Sequence, residues 1–153
     1  MGVLTDDMRR MLDEQQLGFV ATVSPDGAPN LSPKGTTAVW DDDHLVFADI
    51  RSPATIANLR VNPAIEINVV DVLTRKGYRF RGAAEVLAKG ERFEAALAFF
   101  AARGSTSAKR HIVLVRVTPA APLISPAYDQ GQAEADVVAR WRAYWEGLWR
   151  RRS

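Results

Sequence analysis

The chain has 153 residues, 47% of them apolar and 25% charged, with a formal net charge of +2. That balance describes one ordinary globular core, a single domain over 1–153, and a charge this small gives no ground for a nucleic-acid partner. There is no cysteine, which removes disulfides, thiolate nucleophiles, iron–sulfur clusters and cysteine zinc sites. His44 and His111 lie far apart with no third ligand at metal spacing, so no metal site is expected and redox chemistry would need an organic cofactor.

Asp6, Asp7, Arg9, Arg10, Asp13 and Glu14 interrupt the first 17 residues, which excludes a secretory signal there. No other segment has the apolar length of a membrane span, so the expected location is the cytoplasm. Thr5 before Asp6 and Asp7 reads as a helix cap, and Met8, Met11 and Leu12 supply the apolar stripe of a short helix over 1–17. Gly18 to Val23 is a β-rich run, the Ser24-Pro25-Asp26-Gly27 turn follows, and a second strand is expected from Pro29 to Trp40. Asp41-Asp42-Asp43 makes the next turn, ahead of the apolar strand Leu45 to Ala48.

Ser52 can cap and Pro53 suits a first helical position, so a short helix carrying Ile56 and Leu59 runs to Asn62-Pro63. Ile65, Ile67 and Val69 alternate as in a half-buried strand, and Tyr78 to Leu87 is a longer one. Glu91 to Arg103 is helical, with Phe93, Leu97 and Phe100 on one side and Gly104 as the stop. His111 to Val117 is dense enough in apolar residues for burial on both faces and closes the barrel segment 18–118. Pro119, Pro122, Pro126 and Gly131 predict an irregular connection within 119–153, before a helix from Ala133 to Arg152 with Val138, Trp141, Trp145 and Leu148 on one face. Strands in hairpin order with interspersed helices make an α+β antiparallel barrel. Arg150-Arg151-Arg152 reads as a solvated helix end, and Trp141, Trp145 and Trp149 as core or dimer packing.

Chemistry concentrates in Asn30-Leu31-Ser32-Pro33-Lys34-Gly35 and, one hairpin later, Phe47-Ala48-Asp49-Ile50-Arg51-Ser52 with Thr55 and Asn58. A phosphate needs donors and positive charge converging on one point, and a helix N-terminus offers unpaired amides and a favourable dipole. Ser52, Thr55 and Arg51 lie at such a terminus, and Lys34 reaches it if the two strands pair as a hairpin. The residues alone define an anion site of unspecified ligand. His44 reads as a turn residue and His111 as a strand-edge residue, neither with an expected acid partner.

The ordered set Gly18 to Val23, Asp26-Gly27-Ala28-Pro29, Ser32-Pro33-Lys34-Gly35, Phe47-Ala48-Asp49, Ser52-Pro53, Thr55 through Asn58-Leu59 and Asn62-Pro63 resembles the pyridoxamine 5′-phosphate oxidase-like FMN-binding proteins. The resemblance covers about residues 5 to 90 and implies a split β-barrel homodimer with FMN between the subunits. It makes Ser32, Pro33, Lys34, Gly35, Arg51, Ser52 and Thr55 candidate contacts of the cofactor's phosphate end. Phe47, Ala48 and Asp49 become candidate ring contacts, partly through main-chain atoms, while Arg79 and Arg81 could meet FMN from the other subunit. Many relatives carry Lys or Arg where this chain has Ala54, so charge compensation falls on Lys34 and Arg51, and a deazaflavin stays open beside FMN.

Ser125 to Asp129 and the tryptophan helix do not match the substrate segment of the vitamin B6 oxidases, so another substrate is expected. The leading reading is an FMN-dependent oxidoreductase that takes hydride from a reduced nicotinamide or another small molecule. The competing ones are a non-catalytic module binding flavin or haem, and a nucleic-acid-binding barrel using the basic tail.

Overall fold

The computed structural model describes residues 2–153. Its elements in chain order are α1 (Asp6–Gln15), β1 (Gly18–Val23), β2 (Pro29–Lys34), β3 (Ala38–Val39), β4 (His44–Asp49), α2 (Pro53–Val61), β5 (Ala64–Asp71), β6 (Lys76–Leu87), α3 (Glu91–Ala102), β7 (His111–Ile124) and α4 (Glu134–Arg152). The strands form one antiparallel sheet in the order β2-β1-β5-β6-β7-β4-β3. Its two edge strands, β2 and β3, are neighbours in the chain, joined only by residues 35–37. That short link curls the sheet into a barrel with one unpaired seam, a split barrel.

Alternation along the strands fills the interior. Val20, Ile67, Val69, Phe80, Val113, Val115 and Phe47 point inward and are buried. α1 closes one end with Met8, Met11 and Leu12, its first turn held by Thr5 Oγ1 accepting from the Met8 amide at 3.3 Å. α2 adds Ile56 and Leu59 to the same core. A second cluster forms outside the barrel, where Phe93, Ala96 and Phe100 of α3 cover Val46, Ala48, Ile112 and Leu114. β4 and β7 are therefore buried on both faces, which is why both read as unbroken apolar runs.

Three expectations need correction. The strand expected from Pro29 to Trp40 is two strands, because the chain must cross the seam at residues 35–37. The last strand does not stop at Val117 but continues to Ile124 through Pro119 and Pro122. Proline lacks an amide donor, yet beyond Val117, whose amide still donates to the Asp43 carbonyl, this strand pairs only with β6, so its other edge asks for no ladder bonds. On α4, Val138, Trp141, Trp145 and Leu148 are half-buried beside the fully buried Val137, but Trp149 does not pack in the core and is 64% exposed. That helix is tied down by the Lys76–Glu134 ion pair at 2.6 Å and by the Arg75 guanidinium stacked 3.3 Å over Trp141.

Among the described residues, no helix is long and apolar enough to cross a membrane. Phe47 is fully buried in the barrel interior. Phe47→Ala should therefore destabilise the fold by about 3 to 5 kcal/mol, the usual cost of emptying a core phenylalanine site. Denaturant unfolding measures it, and a loss below about 1 kcal/mol would mean that this strand is not interior.

Candidate anion and cofactor site

The seam brings the end of β2 against the start of α2. Gly18 of β1 stands opposite Lys34, and a Cβ there would lie 2.5 Å from Thr37 Oγ1, so glycine lets the chain fold back over it. Thr37, itself buried, donates its hydroxyl to the Lys34 carbonyl at 2.9 Å. Thr36 Oγ1 accepts from the Ala48 amide at 2.9 Å. The first bond tightens the link onto the end of β2 and the second fastens that link to β4, although the two strands are not paired.

Lys34 is the centre of the arrangement. It is 6% exposed, and its ammonium donates to Ser32 Oγ at 2.5 Å and to Ser52 Oγ. Both partners are neutral hydroxyls. Ser52 occupies the position before α2, but its side chain makes no cap bond because it is turned to Lys34, which corrects the capping role expected of it. Lys34, Gly35, Thr36, Ile50, Arg51 and Ser52 line a cavity of about 280 Å³, together with Pro33 and Ala48. A second cavity of about 470 Å³ shares Gly35 and Thr36 with it and extends toward Phe100 and Arg103.

Behind the cavity, Asp49 is 2% exposed and fully engaged. Its Oδ1 accepts from the Ser52 amide at 2.7 Å and its Oδ2 from His111 Nδ1 at 2.8 Å. His111 thus has an acid partner, contrary to the sequence reading, and His44 has one in Asp41 at 2.8 Å. The His111 partner is 62 residues away and carries no local signal.

The other candidates are placed as follows. Thr55 is buried and its Oγ1 accepts from Asn30 Nδ2 at 3.4 Å, so it packs α2 on the barrel and does not line the cavity. Asn58 supports the same packing through Thr22 Oγ1 at 3.1 Å. The Phe47 side chain lies in the core, which leaves only its main chain for any ligand. Arg79 and Arg81 are on the outer sheet face, both salt-bridged to Glu66 at 2.9 and 2.8 Å. Arg79 is three strands from Pro33 along one register row, about 14 Å at ordinary strand spacing. They do not join the Lys34 cluster within one chain.

A larger cavity, about 550 Å³, opens beside α1 and the start of α4. Its cations are already neutralised: Lys76 by Glu134 and Arg10 by Asp7, each at 2.6 Å. It offers an anion much less than Lys34 does.

The split-barrel fold, here with a cationic cleft at its seam, is shared with known proteins. Residues 4–122 match the family model for pyridoxamine 5′-phosphate oxidase, and the chain belongs to that family. A solved structure of HupZ from Group A Streptococcus is 33% identical, with a TM-score of 0.73 over 80% of this chain and 95% of that one. An FMN-binding protein from Syntrophomonas wolfei has a TM-score of 0.65 at 16% identity, covering 75% of this chain and 82% of its own. An F420 reductase has a TM-score of 0.60 at 22% identity, covering 77% and 98%; these last two likenesses bear on the fold. A protein of Methanocaldococcus jannaschii is 30% identical over 90 residues, 58% of this chain, which spans 59% of that relative's length.

Burial holds the Lys34 ammonium below its ordinary pKa of 10.5, with the Asp49 charge opposing part of that shift. The unfolded chain therefore binds this proton more tightly than the folded one. The buried charge costs stability in full below the folded pKa, and the cost fades as pH climbs through that value toward the unfolded one. In anion-free buffer Lys34→Met should melt higher than wild type at neutral pH, with the gap narrowing as pH rises toward 10.5. A gap that stays constant over that window would show that Lys34 is not desolvated.

Proposed function

We propose that the seam cavity binds FMN, with the phosphate against Lys34, Ser32 and Ser52, and that the protein is a flavin-dependent oxidoreductase for a small substrate other than pyridoxamine phosphate. The observation that carries this reading is the Lys34 ammonium, nearly buried and supported only by hydroxyls. A desolvated cation with no carboxylate bonded to it calls for an anion, and a phosphate would restore what burial removes. Arg51 adds a second positive charge at the cavity wall, offsetting the lack of one at Ala54. Ala48 and Ile50 give the cavity an apolar wall suited to a flavin ring. Bound FMN would supply hydride or electron acceptance, and the protein's part would be to hold and orient it. Family membership and the FMN-binding structural neighbour support this choice of cofactor.

The same reading includes a homodimer. Leu31, Phe19 and Val23 are 66%, 41% and 38% exposed on the outer face of β1 and β2, an apolar patch continued by Pro29 and Pro33. A second copy seated there would cover it. Arg79 and Arg81 stand on this outer face, which is how they would approach a cofactor held by the opposing subunit.

Purified protein should be yellow, with flavin bands near roughly 370 and 450 nm. Lys34→Ala should keep its fold and lose about ten- to a hundredfold in FMN affinity, the worth of a charge-assisted contact. A colourless wild type that FMN titration cannot load contradicts the assignment. Oxidation of a reduced nicotinamide by the loaded protein distinguishes an enzyme from a carrier.

Leu31→Asp should convert the dimer to a monomer in light scattering and weaken FMN retention with it. A wild-type monomer that holds FMN would overturn the dimer.

A further inference from the structure

Asp49 sits between two claimants. Its charge acts on Lys34 through space, yet its hydrogen bonds go elsewhere, to the Ser52 amide and to His111. Were Asp49 to turn toward Lys34, the pair would satisfy each other and the cationic site would lose most of its pull on an anion. The structure shows what restrains it.

His111 Nε2 faces Arg60 Nη2 at 3.2 Å, and arginine can only donate. Nε2 is therefore the acceptor, and the ring proton stands on Nδ1, aimed at Asp49 Oδ2. Arg60 projects from the last turn of α2, and the neighbouring Arg110 amide donates to the Asp49 carbonyl at 3.0 Å. Both ends of Asp49 are thus held from β7 and its approach, while α2 sets the tautomer of the histidine. The result is a chain of contacts running Arg60, His111, Asp49, Ser52, Lys34.

We propose that His111 is a positioning residue for the anion site: by claiming one oxygen of Asp49 it keeps the other on the Ser52 amide and leaves the Lys34 charge available to a ligand phosphate. This rests on the phosphate assignment above for its functional meaning, but its structural content does not need a ligand. His111 itself touches no ligand in this scheme.

The test uses the full chain with His111→Leu, which removes the donor, and His111→Asn, whose side-chain amide can offer one at a similar place. The first readout is ligand-free: the titration of Lys34, followed by NMR of labelled lysine side chains. In wild type and His111→Asn it should titrate below 10.5, and in His111→Leu it should move up as Asp49 turns to it. The second readout is FMN affinity, which should fall about tenfold in His111→Leu and stay within about twofold of wild type in His111→Asn, the former a contact's worth of about 1.4 kcal/mol. A Lys34 titration that is the same in all three proteins overturns the proposal, as does equal weakening of FMN in both variants. If wild type takes up no FMN while Lys34 shifts as described, the positioning role stands and the phosphate assignment is what fails.

Discussion

A lysine ammonium taken out of water needs either a negative charge or acceptors enough to replace its hydration, and Lys34 has two hydroxyls. Burial disfavours its charged form; the Asp49 charge offsets part of that cost through space, but no carboxylate is bonded to it. Under the proposed function this unfavourable energy is what a phosphate from outside would relieve. Everything around the seam maintains this condition. Thr37 pins the Lys34 carbonyl, Thr36 ties the turn to β4, and Asp49 spends its oxygens on Ser52 and His111.

The barrel is what makes such a point possible. Every strand has a paired neighbour on the way round except that β2 and β3 do not pair with each other, and a three-residue link bridges that gap. A lysine in the middle of the sheet would face the apolar interior or open solvent. At the end of an edge strand it is shielded by the fold-back of residues 35–37 and still reaches the N-terminal turn of α2. The cavity that results is small, lined by both polar and apolar residues, and a larger one toward α3 shares Gly35 and Thr36 with it.

Much of this was legible in the sequence because it is local. Caps, turns and alternation located α1, β1, β4, α2, β5, β6 and α3, and the motif order pointed to Ser32, Lys34 and Ser52 as side chains that meet. The route was different: a hairpin pairing of the two segments was expected, whereas they meet across the seam, since β2 and β4 stand near opposite edges of the sheet. Edge order follows from long-range pairing, on which short patterns are silent. Pro119 and Pro122 read as a loop for the same reason, because an unpaired strand edge is invisible until the neighbours are known. Thr55 was read as a ligand contact from its place in the first turn of α2, but its rotation about the helix points it at Asn30. The Asp49–His111 pair spans 62 residues and no spacing rule reaches that far.

The central claim is that this seam recognises a phosphate through Lys34, and comparing FMN with riboflavin isolates that group, since the two share a ring system and ribityl chain. Wild-type protein titrated with each by fluorescence quenching at one pH and salt concentration should bind FMN at least about a hundredfold more tightly, as charge-assisted contacts from a desolvated lysine require. Equal affinity for the two would contradict the account, because it would place the recognition of the flavin somewhere other than the Lys34 cluster.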